Sequence, residues 1–295
     1  MRRALIADRV ATAVMWAIAA ATVLLLGAFI LRIVWSAVGV LSPSFIVSDP
    51  QFLGLGGVGP LLWNSFYMLL LTLLITGPLG TAAGIYMAEY AEENRLTNAI
   101  RFAQETISSV PSIVVGLFGL IAFVTVLHWG FSAIGGGLAL SIFNLPLLAR
   151  LTEQALRAVP ADERTGSLAL GATKWQTIRN VILPLAIPGI VTGLILTSGR
   201  IFGEAAALLF TAGLGTPTNY HFENLNVFDP RSPWSPLRPA TTLSVYIWKT
   251  NSEGLGSHVA EIGNGSAAVL LVTVLLFNVG ARALGSLLQR GMKIR

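Results

Sequence analysis

The chain has 295 residues, of which 54% are hydrophobic and 11% are charged. Soluble domains carry about 25% charged residues, so this chain has too few charges to cover a water-facing surface, and lipid is the expected solvent. The 19 basic residues outnumber the 14 acidic ones without forming a basic patch interleaved with aromatics, which argues against a nucleic-acid partner, and the lack of cysteine excludes disulfides and Cys-based zinc sites.

Six apolar stretches are long enough, or nearly so, to cross a bilayer, which takes about 20 mainly apolar residues. They cover residues 11–38, 61–88, 107–127, 135–151, 183–210 and 266–288. The first is too long for the apolar core of a signal peptide and is predicted to be retained. The fourth is the weakest, because Gly135-Gly136-Gly137 opens it and Pro146 interrupts it. Since helices satisfy their own backbone groups in lipid, we predict an all-α integral membrane protein with six transmembrane helices.

The basic residues predict the orientation, because cytoplasmic loops carry an excess of Lys and Arg. With the N-terminus inside, the outer side holds only Arg231, Arg238 and Lys249, although the loop over residues 213–265 is the longest. We therefore predict a multi-pass protein of the cell (inner or plasma) membrane with both termini cytoplasmic.

Two regions follow from this orientation. Residues 1–60 would form an N-terminal span and outer loop, and residues 61–295 a core domain with five spans. The core would have a cytoplasmic loop at about 152–181 and an outer loop at about 213–265, with a short helix near residues 241–250. Each outer loop is either a solvated connector or a landing surface for an external protein.

Charge is densest between the fourth and fifth predicted spans. A short helix is predicted to begin near Pro160 and to end at Gly171, where a left-handed cap is easy. A second helix is predicted to begin at Thr173, which starts a T-x-x-Q capping box. If the bend is shallow, four residues share one side of this protrusion: Leu168, Ala172, Trp175 and Arg179. Periodicity does not distinguish a protein-binding protrusion from an amphipathic helix that rests on lipid headgroups with Trp175 as its anchor.

The end of this segment resembles a known loop. Gly171, followed after nine residues by Val181-x-Leu183-Pro184, is similar to the later part of the EAA loop, E-A-A-x3-G-x9-I-x-L-P, of membrane subunits of ATP-binding-cassette (ABC) importers. Where that loop has Glu-Ala-Ala, this chain has Thr165-Gly166-Ser167. The sequence therefore does not establish whether this chain forms the ion pair that the Glu makes in relatives.

Four more stretches resemble PstA, the phosphate-transport permease family that pairs with PstC. They are residues 64–91, 110–119 (VPSIVVGLFG), 199–213 (GRIFGEAAALLFTAG) and 275–284. The resemblance implies a type I ABC importer permease with a coupling helix between spans four and five. It also implies phosphate as substrate and, as partners, a PstC-like permease, two ABC ATPase subunits and an external phosphate-binding protein. Six residues would contact the ATPase subunit: Leu168, Gly171, Ala172, Lys174, Trp175 and Arg179.

Arg200 and Glu204 lie inside the fifth predicted span. A charge at the bilayer centre costs about 2.5–3.5 kcal/mol on insertion scales, so such residues usually face protein or water. At positions i and i+4 they would share a helical face and pair, either as a structural ion pair or as a pathway in which Arg200 binds an anion. The PstA resemblance favours the pathway. Relatives usually have proline where Ala207 stands, so a straighter fifth helix is expected here.

No nucleotide-hydrolysing site stands out in the sequence. The pattern G-x-x-x-x-G-K-[ST] is absent, and so are Ser-His-Asp and metal-ligating constellations. We therefore predict a transport subunit without enzymatic activity, metal or cofactor of its own, with ATP bound by partner subunits. The alternatives are a permease for another oxyanion or a stand-alone ion-coupled carrier or channel, which would show paired broken helices.

Overall fold

The computed structural model describes residues 2–51, 56–215, 220–254 and 258–293. Parts of both predicted outer loops, residues 52–55, 216–219 and 255–257, lie outside the described residues. Within the described ranges the chain forms twelve α-helices and no strand, which confirms the predicted all-α fold. These are α1 (Arg2–Ala37), α2 (Pro43–Val47), α3 (Gly59–Glu89), α4 (Arg95–Ser109), α5 (Ser112–Gly119), α6 (Ala133–Arg157), α7 (Ala161–Ala169), α8 (Lys174–Thr177), α9 (Leu183–Gly203), α10 (Ala206–Thr211), α11 (Leu243–Glu253) and α12 (Val259–Lys293). Two π-helical segments, Leu120–Val126 and Ile178–Ile182, extend α5 and join α8 to α9.

Five helical stretches are long and apolar enough to cross a membrane. They are Ile6–Ala37, Gly59–Glu89, Ala133–Arg157, Lys174–Gly203 and Val259–Leu287. A sixth crossing results if α4 and α5 count as one span. By length and composition, the described helices therefore provide the crossings that the sequence predicts.

The third predicted span is not one straight helix. α4 and α5 meet at 91°, so residues 107–109 belong to α4 and the second arm begins at Ser112. Val110 between them is extended, with φ −60° and ψ 132°, because the following Pro111 disfavours helical geometry in the residue before it.

The fourth predicted span, the weakest by sequence, is the central helix α6. It packs against α3 and α9 and is the most deeply buried of the candidate spans. Gly84 of α3 allows this approach, since a Cβ there would lie 2.6 Å from the carbonyl oxygen of Ala149. Glycine lowers the apparent hydropathy of such helices, yet it permits the close packing that places α6 at the centre.

The prediction of one continuous fifth span, straighter than in relatives, is wrong. α9 ends at Gly203, Glu204 is extended with ψ 126°, and a new helix, α10, begins at Ala206. Two hydrogen bonds hold the break. The Glu204 carboxylate accepts from the backbone N–H of Ala207 (3.2 Å), and the Glu204 carbonyl accepts from the Ser244 hydroxyl (2.7 Å).

The core lies along α6, and the bundle has two distinct ends. The largest apolar cluster joins α3, α6, α9, α10 and α11 around Phe143 and Phe202. A second cluster, around Leu156, Ile178 and Ile182, lies where α3 and α6 finish. We call that end the charged end, because most of the ion pairs lie there. The other is the opposite end. Helix α1 packs on α12, and none of its residues from Ile6 to Ser36 is buried within the described chain.

Candidate functional site

The segment between α6 and α9 protrudes as two short helices, as predicted. α7 follows Pro160, and Gly171 adopts the left-handed conformation with φ +88°. Thr173 caps α8: its hydroxyl accepts from the Gln176 N–H (3.3 Å), and the Gln176 side chain accepts from the Thr173 N–H (2.8 Å). A Cβ on Gly171 would meet no atom within 4 Å, so the backbone conformation, not crowding, is what requires glycine there.

The tip of this protrusion is apolar and exposed. Trp175 is 58% exposed, Leu168 is 49% exposed, and Leu170 reaches 91%. Lys174 and Arg179 are exposed as well, and Ala172 is half-buried. Leu170 is not among the residues predicted to make contact, because helical periodicity does not extend through the bend. An apolar residue directly before the glycine was the signal that could have indicated it.

The base of the protrusion is fixed to the bundle. The hydroxyls of Ser167 and Thr177 lie 3.0 Å apart and join α7 to the last residue of α8. Thr177 and Ile178 are buried, the latter against the second apolar cluster. Lys174 turns back toward α3, with its ammonium 4.9 Å from the centre of the Tyr90 ring. The base of the protrusion is therefore anchored to the bundle, while its apolar tip is exposed.

A set of ion pairs lies at the same end of the bundle, and the sequence pattern did not indicate it. Glu93 pairs with Arg101 (2.8 Å) and Arg157 (2.7 Å), and Glu153 pairs with the same two arginines (3.0 and 3.1 Å). Hydrogen bonds from Arg101 and then Arg157 lower the pKa of Glu93 to about 2, so this carboxylate stays ionised at physiological pH. An open cavity of about 230 Å³ adjoins these groups.

Arg200 lies at mid-bundle without an acidic partner. Its guanidinium stands 4.6 Å from the centre of the Phe143 ring, and its Nη2 donates a long hydrogen bond to the Ser108 carbonyl oxygen (3.4 Å). Among the described residues no carboxylate lies within 4.0 Å of it. The predicted pairing with Glu204 is wrong, because α9 ends at Gly203 and the Glu204 carboxylate turns to cap α10.

Two helix breaks meet near Arg200. Ser108 lies in the last turn of α4, beside the 91° bend, and Arg200 lies in the last turn of α9. Carbonyls in the last turn of a helix lack intrahelical partners and carry partial negative charge, which stabilises a cation. A helix end, an aromatic face and a half-buried guanidinium therefore converge at one point.

The opposite end is held by a buried arginine. Arg238 has no exposed surface, and burial lowers its pKa. All three of its nitrogens donate: to the Asn64 side chain (2.7 Å), to the Tyr220 hydroxyl (2.6 Å), and to the carbonyls of Pro233 (2.9 and 3.2 Å) and Pro239 (3.1 Å). The sequence pattern marked Arg238 only as an outer basic residue. The structure makes it the link between α3 and the segment over residues 220–239.

Comparison with known proteins identifies the family. Residues 80–294 match the family described as "Binding-protein-dependent transport system inner membrane component". The chain belongs to this family. It is therefore a multi-pass permease subunit of an ABC importer, as the loop at Gly171 indicated.

Individual relatives agree with this assignment. The chain is 47% identical to the probable ABC transporter permease protein YqgI of Bacillus subtilis (strain 168), over 97% of each chain. It is 36% identical to the phosphate transport system permease protein PstA of Xylella fastidiosa (strain Temecula1), over 78% of this chain and 75% of that protein. An inward-facing structure of the MetNI methionine ABC transporter has a chain with the same fold. The TM-score is 0.55 at 19% identity, over 78% of this permease and 93% of that chain.

Proposed function

We propose that this permease carries inorganic phosphate, with Arg200 and Glu204 in the substrate pathway. The observation that carries the proposal is a half-buried guanidinium at mid-bundle with no carboxylate partner among the described residues. The planar fork of arginine suits phosphate oxygens, and charge-assisted hydrogen bonds to it are strong. Similarity to PstA proteins supports phosphate as the anion.

Glu204 has an indirect role in this proposal. Its carboxylate is used to cap α10 and its carbonyl receives the Ser244 hydroxyl, so it holds the helix break and does not neutralise Arg200. Glu204 would then keep the pathway open next to the cation, and its charge would moderate the attraction for an anion that must also be released.

The α7–α8 protrusion would contact an ATPase subunit. Its apolar tip is exposed while its base is anchored, as expected of a surface that transmits movement from a partner. The contacting set would be Leu168, Gly171, Ala172, Lys174, Trp175 and Arg179, with Leu170 added by its exposure. The assembly would contain two such ATPase subunits, which bind the ATP, a PstC-like second permease and an external phosphate-binding protein. Both termini and the charged end would be cytoplasmic, in the cell membrane.

Two other candidates can be weighed against specific observations. A guanidinium without a counter-ion would also bind another tetrahedral oxyanion, so a permease for a different anion is the second candidate. Broken helices are found here, as in ion-coupled carriers, but membership in a binding-protein-dependent permease family argues against a stand-alone carrier.

The test is phosphate uptake by cells carrying substitutions of Arg200. Hydrogen bonds to charged groups contribute about 1.5–3 kcal/mol, so Arg200→Ala should lower uptake by roughly 10- to 100-fold, with Arg200→Lys intermediate. Arg32→Ala is the matched control, because Arg32 is an exposed arginine of the peripheral helix α1. Normal uptake by Arg200→Ala would refute the pathway role. Competition by sulfate or arsenate separates phosphate from other oxyanions.

A further inference from the structure

We propose that Arg164 and Glu89 form a clasp that makes α3 move together with the α7–α8 protrusion. The Arg164 Nη2 lies 2.7 Å from the Glu89 carboxylate and donates to the Leu156 carbonyl oxygen at 2.8 Å. The Arg164 Nη2 of α7 thus binds both the last residue of α3 and a carbonyl near the end of α6. This proposal rests on the proposed contact between the protrusion and an ATPase subunit.

The pair is shielded from water. The Glu89 side chain is 7% exposed and that of Arg164 is 27% exposed, in contrast to Glu93, which is 59% exposed. Water screens an exposed pair strongly, whereas a shielded pair holds its geometry, and removing one partner leaves the other charge without compensation. The clasp is therefore a firmer connection than the exposed pairs that Glu93 makes.

α7 has few other connections to α3. No side chain of α7 is buried, and among the described residues Arg164 is its only charged residue in an ion pair. Thr165 stands where the family loop has its glutamate, and within the described ranges its hydroxyl donates only to the Ala161 and Asp162 carbonyls of its own helix (both 3.2 Å). The carboxylate that pairs with α7 in this chain belongs to α3.

A second contact lies directly beside the clasp. Lys174 of α8 places its ammonium over Tyr90, the residue after Glu89. Both helices of the protrusion therefore attach to the same end of α3, one by an ion pair and one by a cation–π contact. Arg164 and Glu89 are positioning residues: they touch neither substrate nor ATP, and they connect the partner-facing tip with a spanning helix.

The experiment compares Arg164→Gln and Glu89→Gln in the complete transporter, reconstituted in proteoliposomes with its binding protein. The readout is phosphate transported per ATP hydrolysed, because a purely structural role would change the amount of intact complex and leave this ratio unchanged. We expect the ratio to fall by about tenfold while hydrolysis continues, within the usual range for coupling between sites. Glu93→Gln is the control, since Glu93 pairs with Arg101 of α4 and Arg157 of α6 and has no ion pair with α7 among the described residues.

A cysteine pair keeps the proposal testable if these variants assemble poorly. The chain has no cysteine of its own, so Glu89→Cys combined with Arg164→Cys can be joined selectively by a bismaleimide. Before cross-linking we expect the same low ratio, and after it a return toward the wild-type ratio, because the link replaces the clasp. A cross-link that stops transport would show that the two residues must separate, which overturns the proposal.

Trp175→Glu separates the failure of the clasp from the failure of the proposed function. If Trp175→Glu lowers the ratio and Arg164→Gln leaves it at the wild-type value, the protrusion couples to the ATPase and the clasp proposal is wrong. If neither variant changes the ratio, the coupling role of the protrusion is wrong as well. A wild-type transporter that moves no phosphate would refute the substrate and not the clasp, since the ratio can be measured with whichever anion is carried.

Discussion

The buried Arg238 and the half-buried Arg200 show two ways in which the described part of the chain holds an arginine without a carboxylate partner. The Arg238 guanidinium uses all three of its nitrogens on carbonyls, an amide and a hydroxyl of its own fold. The Arg200 guanidinium has one long hydrogen bond and an aromatic face. The first arrangement is saturated and structural, whereas the second leaves donors free for a ligand.

Arg238→Met should destabilise the protein strongly. The substitution removes the hydrogen bonds that the buried guanidinium donates to Asn64, Tyr220, Pro233 and Pro239, and hydrogen bonds to charged groups contribute about 1.5–3 kcal/mol each. Thermal unfolding of the purified protein in detergent measures the loss. Arg231→Met is the control, because Arg231 is exposed in the same loop and should change the unfolding temperature little. Equal stability of the two variants would contradict the structural role of Arg238.

At the scale of the elements, close packing of α3 on α6 determines the architecture. Gly84 faces Thr152 and the Ala149 carbonyl, and a Cβ would approach them to 2.5 and 2.6 Å. Gly77 lies two turns earlier in α3, and a Cβ there would meet no atom within 4 Å. Glycine is therefore required for close helix packing at position 84, whereas at position 77 there is space for a side chain.

Gly84→Ala and Gly77→Ala should have opposite effects on stability. Alanine in a helix interior is favoured over glycine by about 0.5–1 kcal/mol, so Gly77→Ala should be neutral or slightly stabilising. Overpacking at Gly84 should cost about 1–3 kcal/mol, because α6 must shift to admit the methyl group. Unfolding temperatures in detergent compare the two, and a stable Gly84→Ala variant would show that the contact is looser than described.

At the scale of the whole molecule, α3 connects the two ends of the bundle. Near the start of α3, the Asn64 side chain accepts a hydrogen bond from Arg238 of the segment over residues 220–239. At the last residue of α3, the Glu89 carboxylate forms an ion pair with Arg164 of α7. Each end also exposes a large apolar side chain, Leu170 at the charged end and Phe228 at the opposite end. A partner on either side would thus act on the same helix.

The proposed orientation predicts which end is reached from outside the cell. The chain has no cysteine, so Glu92→Cys and Glu223→Cys introduce single exposed thiols at the charged and opposite ends. A membrane-impermeant maleimide should label Glu223→Cys in intact cells and Glu92→Cys only after permeabilisation. The reverse labelling pattern would invert the topology and place the protrusion outside, away from any ATPase.

Features that depend on neighbouring residues followed from the sequence. Hydropathy predicted where the apolar helices lie, although the third span is bent and the fifth is broken at Glu204. Glycine and capping preferences predicted the bend at Gly171 and the cap at Thr173, and both are found. The short helix expected near residues 241–250 is α11, which begins after the Thr242 cap. Each of these rests on energies set within a few residues of the chain.

Contacts between residues that are far apart in the sequence could be identified only from the packed bundle. Glu204 turns out of the helix because Ser244, 40 residues away, binds its carbonyl, so the i, i+4 pairing with Arg200 cannot form. Arg164 meets Glu89 across 75 residues and Arg238 meets Asn64 across 174. Hydropathy and periodicity describe which side of a helix prefers protein or lipid. They carry no information on which polar groups are brought face to face, since that depends on how the helices cross.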